Sequence, residues 1–128
     1  MGRDELLSRA DVVTIHLRLS GRTRGLIGAA ELARMKASAV LVNTSRGPIV
    51  DEAALVAALR GGVIAGAGLD VYDTEPLPPG HSLRSAPNTV LTPHLGYVTG
   101  GTYARYFGDA VEDIAAFQRG APVRVLGA

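Results

Sequence analysis

The chain has 128 residues, enough for one domain with a real core and too few for two. Hydrophobic residues make up 47%, which argues against disorder, and a net charge of +1 gives no electrostatic case for nucleic acid or an anionic membrane. The absence of cysteine excludes disulfides, thiolate nucleophiles and thiolate metal sites, in keeping with a cytoplasmic protein. No apolar run approaches the roughly 20 residues a membrane helix needs, and residues 1–9 hold no apolar signal-peptide core.

In chain order, Arg3 to Ala10 reads as the last turns of a helix leading into a strand, as if the chain began inside a fold. Asp11 to His16 is β-branched and predicts the first strand. A short helix is expected over Ala29–Met35, then a second strand over Ala39–Asn43. Asp51 is the expected N-cap of a helix over Ala53–Leu59, with Leu55 and Leu59 on its apolar face and Gly61-Gly62 as its stop. Val63 to Val71 contains a third strand, interrupted by Gly66 and Gly68, which would let it approach a neighbour closely. Gly66-Ala67-Gly68 lacks the third glycine and the following helix of a dinucleotide fingerprint.

A long proline-rich loop, expected to be structureless, runs from Tyr72 to Asn88, and loops of this length are usually functional. Thr89–Thr92 is the fourth strand. The longest helix is expected over Thr102–Gln118, ended by Gly120 and Pro122. Tyr103, Phe107, Ala110, Ile114 and Phe117 recur at spacings of 4, 3, 4 and 3, one apolar stripe that reads as core packing. Near-continuous apolar strands alternating with helices indicate an α/β fold with a parallel sheet buried on both faces.

Ligands of open parallel sheets bind at the carboxyl ends of the strands. His16, Asn43 to Gly47, Asp70 with Glu75 beyond it, and Pro93 to Gly96 all fall there. A guanidinium at Arg46, in a turn bounded by Gly47 and Pro48, can grip a carboxylate through two parallel hydrogen bonds. The plain alternative is a solvated surface arginine. His94 suits proton transfer near neutral pH, and a carboxylate beside it, Glu75, would favour the imidazolium and fix the ring. Taken singly, His94 also reads as a structural histidine and Glu75 as a solvated loop residue. His16, His81 and His94 share no metal-binding spacing, so no metal is expected, and no GxSxG elbow marks a serine hydrolase.

Read in order, Asn43-Thr-Ser-Arg-Gly-Pro-Ile-Val-Asp-Glu52, Gly68-Leu-Asp-Val-Tyr-Asp-Thr-Glu-Pro76 and Thr92-Pro-His-Leu-Gly96 resemble the D-isomer-specific 2-hydroxyacid dehydrogenases. The resemblance runs from Leu6 to Leu126, and the 29-residue spacing from Arg46 to Glu75 fits it. It implies the second half of a Rossmann-type doubly wound sheet of about four strands, followed over 99–128 by the C-terminal helix and tail. It also implies hydride transfer between NAD or NADP, NAD favoured, and a small 2-oxo or D-2-hydroxy acid.

By the same resemblance, Arg46 would bind the carboxylate and carbonyl of the oxo acid, His94 would exchange the proton, and Glu75 would pair with His94. Asp70 would face the nicotinamide, and Thr44 and Ser45 would contact the cofactor. Leu17, Arg18 and Thr23 would lie near the adenosine, and Arg46, His94 and Gly96 are also cofactor-contacting positions. Glu75 argues against a formate-dehydrogenase-like member, which carries glutamine there. Arg18 departs from a usual proline, and Gly100-Gly101 should weaken the start of the last helix. The family's GxGxxG half and most of its separate substrate domain have no counterpart in these 128 residues. Two readings follow: the catalytic part of such an enzyme, or an inactive remnant or interaction module. A homo-oligomer, or self-association through an exposed sheet edge, is expected.

Overall fold

The computed structural model describes residues 1–127, and the chain divides after Leu95 into two compact units. The first holds a four-stranded parallel sheet in the order β1 (Val12–Ile15), β2 (Val40–Asn43), β3 (Gly66–Leu69), β4 (Thr89–Leu91). Ile15 pairs with Asn43, Asn43 with Leu69, and Leu69 with Leu91. The carboxyl ends are therefore in line, and His16, Thr44, Asp70 and Thr92 leave the sheet along one edge. The strands are shorter than the apolar pattern: Asp11, His16, Ala39 and Thr92 fall just outside the ladders. β1 and β4 are the lateral edges, where Val12 and Val90 are exposed.

The connections follow their capping residues. α1 (Arg3–Arg9) buries Leu7. α2 (Ala29–Leu32) is shorter than the expected Ala29–Met35, because Arg34 and Met35 donate three residues back, to Glu31 and Leu32, tightening the end into a turn. α3 (Glu52–Arg60) begins where Asp51 accepts the Ala54 amide at 2.9 Å. It ends as Gly62 enters the left-handed region (φ +65°), with the amides of Gly62 and Val63 returning to the carbonyls of Leu59 and Ala58. Leu32, Leu41, Ile49 and Leu55 are fully buried in one core cluster.

The 72–88 segment is not structureless. It contains a 3-10 turn at Ser82–Ser85, and Leu77 and Leu83 are buried in the core, anchoring the loop through apolar contact. Of the two β3 glycines, only Gly66 is there for close approach. A Cβ on it would lie 2.7 Å from the Asn88 carbonyl oxygen, whereas one on Gly68 would meet nothing nearer than 3.9 Å.

The second unit is built on α4 (Gly100–Gln118). It starts two residues before the expected Thr102, directly on the glycine pair, because Thr99 caps it by accepting the Thr102 amide at 3.1 Å. Gly120 (φ +73°) ends it, and Arg124 folds the tail back onto Asp109, Glu112 and Asp113. The aromatic stripe, read from its spacing as core packing and from the absent substrate domain as partly exposed, lies open: Tyr103, Phe107, Ile114 and Phe117 are exposed, and Ala116 is the buried residue of the helix among those described. No described helix is long and apolar enough to cross a membrane.

Candidate active site

The turn after β2 is organised by a buried amide. Asn43, 1% exposed, donates to the Arg46 carbonyl at 2.9 Å and accepts the Ser45 amide at 3.0 Å. Both groups of one side chain thereby close the turn that presents Arg46. Arg46 is exposed, and its Nη1 donates to the Ser45 carbonyl at 2.7 Å. The next residue, Gly47, lies flat against the backbone of Tyr72 and Asp73. The Ser45 hydroxyl donates to the Leu17 carbonyl, tying this turn to the segment after β1. His16, Leu17, Arg18, Leu19, Ser45 and Arg46 line a cavity of about 390 Å³. Thr44 is exposed beside them. Thr23 is differently engaged: its hydroxyl donates to the Arg18 carbonyl and accepts the Ser20 amide, both at 2.8 Å, so it knots its own loop.

The ends of β3 and β4 form the other half. Asp70 is 5% exposed, and its Oδ1 accepts the Thr92 hydroxyl and the Leu95 amide, the latter at 2.8 Å. These two donors flank His94, which is held in the left-handed region (φ +57°). His94 Nδ1 meets Glu75 Oε2 at 2.7 Å, and Glu75 Oε1 accepts the Tyr72 amide at 3.0 Å. Burial pushes the Glu75 carboxyl up. The bonds from His94 and the Tyr72 amide, with the charges of His94 and Arg46, outweigh it and hold the group below its ordinary value. The Tyr72 hydroxyl lies between the Leu69 and Thr92 carbonyls, joining the ends of β3 and β4. Its pKa is raised, first by burial and then by the Asp70 charge. Tyr72, Glu75, Leu77, Arg84, Leu91 and His94 are among the walls of a second cavity, of about 540 Å³.

Arg46, Glu75 and His94 thus stand at the same sheet edge, with His94 and Glu75 in contact and Glu75 within reach of the Arg46 charge. Gly96 opens the second unit and is exposed. Among the described residues no group of three or more His, Asp or Glu could hold a metal ion. Sequence reasoning missed the work of Asn43 and of Glu52. Glu52 accepts the Asp73 amide at 2.8 Å through Oε1 and faces His81 Nε2 at 3.3 Å through Oε2, gripping the loop that carries Glu75 at two points. A polar residue closing an otherwise apolar strand, as Asn43 does, was the available signal.

Residues 1–96 match the sequence pattern of the D-isomer specific 2-hydroxyacid dehydrogenase, NAD binding domain. The chain belongs to this 2-hydroxyacid dehydrogenase family. Relatives within it include a glyoxylate reductase of Aeropyrum pernix, 50% identical over 117 residues, which are 91% of this chain and 35% of that protein. The crystal structure of an oxidoreductase from Ralstonia solanacearum superposes with a TM-score of 0.90 at 42% identity, over 97% of this chain and 36% of the other. An NAD-complexed D-isomer specific 2-hydroxyacid dehydrogenase of Lactobacillus delbrueckii ssp. bulgaricus superposes at 0.84 with 34% identity, over 99% and 43%. The chain therefore spans about a third of the length of the curated relatives it matches.

Proposed function

We propose that this chain carries the proton-transfer and carboxylate-binding side of a hydride exchange between a nicotinamide cofactor and a small 2-oxo or D-2-hydroxy acid. The observation that carries the reading is the 2.7 Å contact of His94 Nδ1 with Glu75 Oε2, in a histidine loop held on both sides by the buried Asp70 carboxylate. The cofactor fits the residues at this edge. Arg18 and Arg46 offer cations and Ser45 a hydroxyl around the cavity after β1 and β2, which suits an anionic, ribose-bearing ligand. Leu17, Thr44, Asp70 and His94 complete the set that would hold it, with NAD favoured over NADP by the family's own domain. Thr23 acts on the loop rather than on the ligand.

When bound, the nicotinamide supplies or accepts the hydride. Arg46 would hold the substrate carboxylate and draw electron density toward the carbonyl oxygen. His94, with Nδ1 on Glu75, would hand the proton on Nε2 to that oxygen during reduction and take the hydroxyl proton back during oxidation. Glu75 would orient the ring and stabilise the imidazolium without itself changing protonation. The two carbonyl substituents gained in reduction, hydride on carbon and proton on oxygen, balance the product hydroxy acid.

The test is a chimera in which this chain replaces the matching third of the Aeropyrum pernix glyoxylate reductase. The chimera should reduce a 2-oxo acid with NADH, and His94→Phe should abolish turnover while leaving the fold intact by circular dichroism. A His94→Phe chimera as active as its parent would remove the histidine from the chemistry.

A further inference from the structure

Arg84 lies on the 3-10 turn, nine residues beyond Glu75, and belongs to none of the motifs that marked the site. Its guanidinium reaches back along the loop. Nη2 donates to the Leu77 carbonyl at 2.6 Å and Nε donates to the Pro78 carbonyl at 2.9 Å. Two adjacent carbonyls are thus held by one rigid fork, just past the Glu75-Pro76 bond. Arg84 is also a wall of the cavity shared with Tyr72, Glu75 and His94, and its charge acts on the Tyr72 hydroxyl. The loop is also held upstream of Glu75 by Glu52 on the Asp73 amide, internally by the Tyr72 amide on Glu75 itself, and further along by the buried Leu77 and Leu83 and by His81 facing Glu52.

We infer that Arg84 is a positioning residue for the His94–Glu75 pair: it fastens the downstream side of the loop so that the Glu75 carboxylate stays between the Tyr72 amide and the His94 ring. The inference rests on reading His94 and Glu75 as an acid–base pair. Without the fork, the main chain at Leu77 and Pro78 loses its two charged donors beside Glu75, and the short charge-assisted contact to His94 would lengthen. A bond between a charged donor and a backbone carbonyl is well suited to this task, because it fixes the main chain whatever side chains follow. His94 and Arg46 are charged groups that lower the Glu75 pKa, and Arg84 reaches the loop through its two carbonyl bonds.

The test is an NMR titration of the 128-residue chain, following the side-chain carboxyl carbon of Glu75 and the Tyr72 amide. In Arg84→Met the Glu75 midpoint should rise toward its ordinary 4.5, and the pH-dependent step in the Tyr72 amide shift should shrink with it. The midpoint of Glu5, in α1, serves as an unmoved control. Arg84→Lys keeps the charge but not the fork, so it should show the same rise in weaker form. If Arg84→Met fails to fold, the lysine variant carries the test alone. An unmoved Glu75 midpoint in the folded variants, or a lysine variant indistinguishable from wild type while the methionine variant shifts, overturns the inference. Glu75→Gln in the same experiment separates the two levels. If it leaves the His94 ring signals titrating as before, the pair itself is wrong. If it shifts them while Arg84 substitutions do nothing, only the role of Arg84 falls.

Discussion

Replacing Gly47 by alanine puts a methyl group where the neighbouring loop already lies. An ideal Cβ at this position would sit 2.0 Å from the Tyr72 carbonyl carbon, 2.2 Å from its oxygen and 2.5 Å from the Asp73 nitrogen. Ordinary contact begins at 3.4 Å, so the two backbones must part by more than an ångström, and no flexible side chain can yield instead. Overpacking a core usually costs about 1–3 kcal/mol when side chains can move. With rigid main chain on both sides, ~3–5 kcal/mol is expected, a large part of the total stability of a small domain. For a chain of this size that corresponds to a fall in Tm of roughly 10–20 °C. Thermal unfolding followed by circular dichroism is the assay, with Gly21→Ala as control, since a Cβ there meets nothing within 4 Å. A Gly47→Ala chain that melts within about 2 °C of the control would refute the packing argument. The same parting would separate the turn that presents Arg46 from the loop that presents Glu75, so the chimera should lose turnover even at temperatures where it stays folded.

Arg46→Lys in the chimera should lower kcat/KM for 2-oxo acids by about 30- to 1,000-fold, the equivalent of ~2–4 kcal/mol for a broken bidentate pair; undiminished kinetics would exclude the fork. Reduction uses the protonated imidazole of His94 and oxidation the neutral one, so the two directions should show opposite pH trends, and Glu75→Gln should change the pH–rate profile. A pH–rate profile unchanged by Glu75→Gln would take Glu75 out of the proton path. Stability should carry the same signature. Because the Glu75 carboxyl sits below its ordinary 4.5 in the fold, its stabilisation is complete above that pH and is lost as pH falls through the lower folded value. Urea midpoints of the wild type should therefore drop more steeply below pH 4.5 than those of Glu75→Gln, and parallel curves would contradict the assignment.

Much of this was legible in the residues, and the reasons for success and failure differ by element. Val12 to Ile15 and Val40 to Val42 are β-branched or apolar throughout, so strand type could be read directly. The expected burial on both faces is not met: in β1 Val12 and Thr14 are exposed while Val13 and Ile15 are buried, because an apolar run does not say what covers each face. Strand ends could not be read, because the ladder stops where a partner's hydrogen bonds stop, not where the apolar run does. Asp51 and Gly62 bounded α3 as local caps must. The same logic failed at Gly100, where a threonine one residue upstream outweighed two poor helix formers. Spacing revealed the stripe on α4 but not its exposure, since periodicity reports which residues share a face and nothing about what meets it. At the site, the residue types at Arg46, Glu75 and His94 were visible, whereas their juxtaposition depended on a loop whose anchors, Glu52 and Arg84, bind main-chain atoms. Such bonds leave no pairing in the sequence, because every residue offers the same partner.

His94 owes its location to the backbone around it. The Thr92 hydroxyl and the Leu95 amide both converge on the Asp70 carboxylate, so the intervening residues are set in place before the side chain at position 94 is considered. Where a group sits and what it does are therefore separable here, and a descendant of this chain could change its chemistry by one codon without rebuilding the loop. The choice of codon is narrow. A left-handed φ is tolerated by asparagine and aspartate, as by histidine, and resisted by valine, isoleucine and threonine, whose branched Cβ crowds the carbonyl. Drift at this position should thus run toward short polar residues that occupy the same point in space but cannot carry the proton.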